Sequence, residues 1–445
     1  MKRLLSILVA LLFVSGMAMA QNSSTTDQDG VNNSANVTQI LDGGDNTSNV
    51  EQYGGDDPAF PNLATVNQTT SNTGKNESGI KQGNQVNGNA DLMDAYVNQI
   101  ANDGGWNYSY IHQVNNAKNA TVNQTAGGSN SKNESFIEQS IGGINEPISS
   151  ATVNQYAWNE GYNKSEIYQA GKQSDANVYQ RNWGYGDDGI TSYINQNGYN
   201  QSADVDQYHA GTGKDESTIN QAGGNNAAEL LQMAINVGGT NASDIGQYGG
   251  ENGGNTAKVH QNITNLGDNT ANVMQGKEAH PNADQQWAWV NQNATSGGSN
   301  EATVEQVNNS HWSQVLQHAA ANSKNTSTIY QGGHSPKNIN GGWISLNQVA
   351  ILGGENTSNI NQHATNTNYH LEETYATVIQ TSSGGINQVD IDQYDMYNWA
   401  NINQFHTGGG LMNNAFIEQK GNGPNIEMIN QTGSGNTANT IQHNY

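Results

Sequence analysis

A chain of 445 residues is long enough for two or three globular domains, yet only 33% of this one is hydrophobic and Phe totals five, too little apolar material for conventional cores. Its 15 basic residues stand against 39 acidic ones, a formal net charge of -24; nucleic acid is an unsuitable partner for such a chain because binding phosphates takes a basic stripe. Cysteine is absent, so disulfides contribute nothing to its stability.

Residues 1–20 have a basic start at Lys2 and Arg3, an apolar run from Leu4 to Val14 and the small-residue end Ala18-Met19-Ala20. This pattern predicts a Sec-type signal peptide cleaved between Ala20 and Gln21. The mature chain then carries 13 basic and 39 acidic residues and is expected outside the cytoplasm. No later run approaches the ~18 apolar residues of a membrane span, so no transmembrane segment is expected in the mature chain. Residues 21–32 read as a short N-terminal linker or secretion segment.

From residue 33 to the end, at 445, one phrase recurs: small residue, any, Val or Ile, any, Gln. It begins as Ala35-Asn36-Val37-Thr38-Gln39 and closes as Ala438-Asn439-Thr440-Ile441-Gln442. Thirty copies follow one another at steps of 11 to 18 residues, the mark of a stacked repeat architecture. The first glutamines are Gln39, Gln52, Gln68, Gln82 and Gln99, then Gln113, Gln124, Gln139, Gln155 and Gln169. Through the first sixteen copies the small residue alternates Ala and Ser without exception, from Ala35 and Ser48 to Ala228 and Ser243. The true unit is therefore a pair of phrases occupying two distinct environments.

Counting back from each Gln, the recurring residues sit at every second place: Val37, Val50, Val66 and Ile80 at minus two, and Asn33, Asn46, Asn62 and Asn76 at minus six. Period two denotes a strand with one specified face. Gly-rich links such as Gly43-Gly44-Asp45 and Gly353-Gly354-Glu355 separate the strands, and all six prolines, Pro58, Pro61, Pro147, Pro281, Pro336 and Pro424, fall in links, as a hydrogen-bonded ladder requires. Stacked about 4.8 Å apart, identical inward amides can bond along the stack as ladders, which satisfies groups that are costly to bury alone. The prediction is all-β: a two-sided β-solenoid, a cross-β stack of about 15 two-strand coils and roughly 70 Å long. Three late strands depart from the phrase. Ile344-Ser345-Leu346-Asn347-Gln348 lacks the small residue, Glu427-Met428-Ile429-Asn430-Gln431 reads as shifted, and Thr440 replaces Val.

Asn241-Ala242-Ser243-Asp244-Ile245-Gly246-Gln247-Tyr248-Gly249, leading to Asn255-Thr256-Ala257-Lys258-Val259-His260-Gln261, resembles the curlin repeat of the curli amyloid subunits. The resemblance spans about residues 33 to 442. It implies a secreted subunit that polymerises with itself into extracellular amyloid fibres serving adhesion and biofilm. It further implies an outer-membrane secretion pore and a nucleator or major subunit as partners. Subunits of that family usually have a handful of repeats, where this chain has about fifteen pairs.

Short flanks around the repeats leave no room for a capping domain, and a bare terminal coil is an unpaired sheet edge; edge addition of further copies is the expected mechanism. The Gln, Val, Ile and Asn of the phrase are then structural ladder residues, and no catalytic residue, metal site or cofactor is expected. The eleven His lack metal-ligand spacing, and the Asp-rich turns do not reproduce a calcium repeat. Trp106, Trp158, Trp183 and Trp289 are expected to cover strand edges or turns. Two competing readings are a discrete cell-surface adhesin and an ice-binding solenoid, the latter from Thr65, Thr121, Thr152, Thr303 and Thr377 at one outward position.

Overall fold

The computed structural model describes residues 21–444 apart from the links 31–32, 54–61, 84–92, 115–118, 141–148, 185–188, 236–237, 250–253, 277–285, 308–310, 334–341, 365–373, 395–397 and 422–424. The expected signal segment with Ala20 and all six prolines lie outside the described residues. Among the described residues there are thirty strands, β1 to β30, and no helix. Each strand pairs in parallel with the one a full turn away: β1 (Gln21–Asp29) with β3 (Asp45–Tyr53), and β2 (Asn33–Asp42) with β4 (Asn62–Ser71). Two ladders thus run the length of a β-solenoid of about fifteen two-strand turns.

β13 (Gly189–Ala210) belongs to both ladders. Its first half pairs with β11 (Tyr162–Gln169) and its second with β12 (Lys172–Asn182). No link interrupts it: Gly198, at φ 154°, and Asn200, at φ 53°, turn the corner within the strand. Other corners stack so closely that a side chain has no place. A Cβ on Gly44, at φ +82°, would lie 2.1 Å from the Gly74 carbonyl oxygen of the next turn, so glycine is required there by both conformation and space.

The pairing is in register on the phrase, Gln39 opposite Gln68 and Gln52 opposite Gln82. The odd-numbered early strands carry Ser48, Ser78, Ser109, Ser135 and Ser165 at the small place, and the even-numbered ones Ala64, Ala95, Ala120, Ala151 and Ala176. We call these the Ser ladder and the Ala ladder. A second alternation accompanies the first. From Ile80 to Ile245 the Ser ladder has Ile at the apolar place, whereas the Ala ladder has Val66, Val97, Val122, Val153, Val178 and Val205. Val50, Val66 and Ile80 are buried and Val37, in an end rung, is partly so. One continuous apolar cluster runs from Val50 to Ile429.

The solenoid starts earlier than expected. Gln21–Asp29, read from sequence as a linker, is strand β1, with Gln28 opposite Gln52. Nor is the C-terminal third out of step: Gln348 pairs with Gln317 and Gln380, and Gln431 with Gln404. The phrase ending at Gln431 is therefore unshifted, with Glu427 at the small place opposite Ala400.

The ladders hold unusual groups in places. His311 takes the minus-six place of one Ala-ladder rung, buried, with Nε2 3.1 Å from the Val307 carbonyl oxygen. Burial lowers its pKa from 6.5 to about 4. Because the folded state favours the neutral ring, the associated stability is complete above about pH 6.5 and is lost as pH falls toward 4. At its limit the loss is ~3 kcal/mol. His311→Asn is expected to flatten the pH dependence of the denaturation midpoint over that window, which titration in guanidinium at pH 7 and pH 4.5 would measure.

Candidate assembly surfaces

The glutamines predicted as structural residues form two continuous hydrogen-bonded chains. In the Ser ladder Gln52 Nε2 donates to Gln82 Oε1 at 2.8 Å, Gln82 to Gln113 at 2.8 Å, Gln113 to Gln139 at 3.0 Å and Gln139 to Gln169 at 2.7 Å. In the Ala ladder Gln39 donates to Gln68 at 2.8 Å, Gln68 to Gln99 at 2.9 Å, and Gln99 to Gln124 and Gln124 to Gln155 at 2.8 Å. The second N–H of these amides reaches a main-chain carbonyl of the opposite ladder, as Gln68 does to Thr47 at 2.9 Å. Each buried amide thereby meets its demand without water.

The alternation of Ala and Ser follows from a bond across the core. Gln68, Gln99, Gln124 and Gln155 of the Ala ladder donate to Ser78, Ser109, Ser135 and Ser165 at 3.2–3.3 Å. At one rung where the alternation loosens, the bond changes direction. Ala302 stands in the Ser ladder, Ser313 in the Ala ladder, and Gln306 now donates to Ser313 at 3.3 Å.

The asparagines form a third chain, in the Ser ladder, running the other way. Asn76 donates to Asn46 at 3.0 Å, Asn107 to Asn76 at 2.9 Å and Asn133 to Asn107 at 2.8 Å. Each also clasps the corner before it, Asn76 donating to the Thr69 carbonyl at 2.9 Å. The chain breaks where Ile190 follows Asn163, leaving Asn163 Oδ1 without a partner. It resumes at Asp215, which accepts from Asn241 at 2.8 Å and lies 3.3 Å from His209 Nδ1, both groups buried. In the Ala ladder, Asn62 donates to Asn33 at 3.0 Å.

These chains give the two ends opposite chemistry. At the N-terminal end Gln28 and Gln39 donate inward, at 2.6 and 2.8 Å, and turn their oxygens outward, while Asn22 accepts from Asn46 at 3.0 Å. At the C-terminal end Gln431 and Gln442 have accepted from Gln404 and Gln419, and Asn436 has donated to Asn413. One end therefore offers Gln oxygens and an Asn N–H, the other an N–H of Gln431 and an Asn oxygen, while the corresponding N–H of Gln442 is turned to Glu427 at 3.4 Å. Among the described residues, β1, β2, β29 (Asn425–Thr432) and β30 (Thr437–Asn444) each pair on one side only.

Both ends also carry polar groups where the core is apolar. Thr26 stands opposite Val50, and Thr440 opposite Ile417. Glu427 points inward from β29, its oxygens 3.3 Å from Thr440 Oγ1 and 3.4 Å from Gln442 Nε2. An inward charge at an edge is a device that discourages further pairing.

Elsewhere on the surface, the described residues include no group of three or more His, Cys, Asp or Glu placed to hold a metal ion. Trp158 and Trp183 meet at 6.4 Å, and Trp106 packs under Lys132 at 4.2 Å. Trp289 lies on the outward face of its strand beside Trp287, 6.2 Å away, and not at an edge or turn. The threonines do not make one rank: Thr121 and Thr152 are neighbours, Tyr96 separates them from Thr65, and Thr303 is on the other ladder.

In comparisons with known proteins, no protein-family model matches the chain and no curated protein matches it.

Proposed function

We propose that the mature chain is a secreted structural subunit, not a catalyst, that polymerises by edge addition into extracellular curli-like amyloid fibres of a biofilm matrix and adhesive surface. The observation that supports this reading is the pairing of complementary ends. A second copy placed head to tail sets Gln and Asn oxygens against N–H groups and extends all three amide chains, the Gln442 N–H exchanging its bond to Glu427 for the incoming Gln oxygen, whereas head-to-head contact sets like against like. Edge pairing of this kind also satisfies the main-chain groups of the end strands. On this reading an outer-membrane pore exports the unfolded chain and a nucleating subunit starts the fibre.

The test is to refold residues 21–445 from denaturant and follow thioflavin fluorescence with and without seeds, with fibre diffraction on the product. Seedable growth with reflections near 4.7 and 10 Å is expected; a β-rich solenoid that stays soluble at high concentration overturns the proposal. Because 39 acidic residues oppose 13 basic ones in residues 21–445, self-repulsion slows association. The lag is therefore expected to shorten as salt rises or pH nears the sequence pI of about 4.5, and a salt-independent lag would count against this account.

One observation favours the alternative of a discrete cell-surface solenoid adhesin: the inward Glu427, whose carboxylate a stacked copy would bury.

A further inference from the structure

The six Ala-ladder strands β19 (Trp287–Thr295), β21 (His311–Ala320), β23 (Gly342–Ile351), β25 (Thr374–Ser383), β27 (Asn398–Thr407) and β29 stack in one register. That register aligns Trp287, Trp312, Trp343, Tyr375, Trp399 and Ile426 in a single outward row. Parallel rows add Ile379, Phe405 and Met428, exposed by 41%, 44% and 63%. Across the four outward places of each rung, from Trp287 to Thr432, there is no Asp, Glu, Lys or Arg.

This stands apart from the rest of the surface. The same ladder nearer the N-terminus presents Asp94, Asp204, Asp206 and Glu229 outward, and the opposite ladder at the same height presents Glu301, Lys324, Asp390 and Glu418. On a chain of net charge -24, a face free of Asp, Glu, Lys and Arg, on which aromatic and aliphatic side chains alternate with neutral polar ones such as Asn291, Ser345 and Asn403, is a place where a like-charged body can approach closely.

We infer that this face is where a second copy of the chain docks sideways, the same face of each copy meeting in a two-fold pair of solenoids. Size supports that occupant. Six rungs at ~4.8 Å by four outward side chains make a patch of about 24 residues, matching the 20–30 residues a side of a stable interface. A flat strand face is the surface that packs on another sheet at about 10 Å, and a self-complementary patch closes as a two-fold dimer without leaving an open face. The rings favour a protein over a sugar chain. Trp287 and Trp312 lie parallel, 4.8 Å apart with 5° between their planes, and Trp312 meets Trp343 at 4.6 Å. The first pair covers one another's faces, whereas the second meets edge to face with 60° between the planes and Trp343 is tilted by 48° to Tyr375. The rings therefore lie among Leu316, Val349 and Ile379 without forming the flat, evenly oriented platform on which successive sugars would stack. Sideways pairing is separate from axial growth and does not rest on it.

The test compares the full mature chain with Asn403→Lys, which adds a charge to the face without removing a ring, and with Trp343→Lys/Trp399→Lys. Sedimentation of the soluble chain reads pairing directly, and mass per unit length by electron microscopy reads it in any fibre formed. Seeding rates report axial growth independently of both. Expected is a doubled mass, in solution or per unit length, that returns to the single value in Asn403→Lys while the circular dichroism is unchanged. Single mass in the wild-type chain, or doubled mass persisting in both variants, overturns the inference. So does binding to an insoluble polysaccharide or to lipid vesicles that is lost in the variants while the wild-type chain remains single.

Discussion

Replacing Glu427 with alanine is expected to accelerate seeded growth at neutral pH by about tenfold or more. In every other rung from β2 to β27 the Ala ladder is uncharged at this place, for example Ala376 and Ala400. A head-to-tail neighbour would cover Glu427 and enclose its carboxylate, whose partners are Thr440 and Gln442. Enclosing a carboxylate without a countercharge costs several kcal/mol, and recovering even ~1.4 kcal/mol of that is a factor of ten. Thioflavin kinetics on identical seeds would measure the change. Equal rates for Glu427→Ala and wild type would show that this end does not form the growing junction.

The other large effect is expected inside the stack. Gln155 accepts from Gln124 at 2.8 Å and donates to Gln180 at 2.8 Å and to the Glu134 carbonyl at 2.8 Å. Gln155→Leu keeps the volume and removes these bonds together with the 3.3 Å one to Ser165, stranding an N–H above and an oxygen below in a dry core. Each stranded group costs about 1–3 kcal/mol, so the loss is expected near ~4 kcal/mol. Thr152→Ala, on the outward face of the same strand, is expected within ~0.5 kcal/mol of wild type. Guanidinium midpoints of the β-sheet signal would separate the two. Similar midpoints would mean that the amide chains are not what holds the rungs.

What sequence conveyed well is what repeats on one face of a strand. Gln68, Val66 and Ala64 recur at fixed places because all three point into a core that is the same in each rung, and the period of two reads directly as burial. The Ala and Ser alternation announced two environments, but its cause lies across the core, between Gln68 and Ser78, which no local pattern records. β1 escaped notice because Thr26 occupies the place of Val or Ile. The surviving signal was Asn22, Ser24 and Gln28 at the spacing of Asn46, Ser48 and Gln52. Glu427 reads in sequence as a slip of register because a charge at an inward place contradicts the pattern, when it marks an edge. The row of Trp287, Trp312 and Trp343 was hidden for another reason: these residues lie 25 and 31 positions apart, and links of unequal length erase any fixed period between outward side chains.

Those unequal links have a consequence of their own. Rungs stay in register whether the chain takes a corner inside one strand, as at Gly198 in β13, or crosses a link as long as 277–285 between β18 (Gly267–Gln275) and β19. Length along the axis is then counted in rungs and is indifferent to how many residues lie between them. The molecule behaves as a ruler: removing a matched pair of strands shortens it by one ~4.8 Å graduation, while a guest peptide placed in a link widens it and leaves its length as it was.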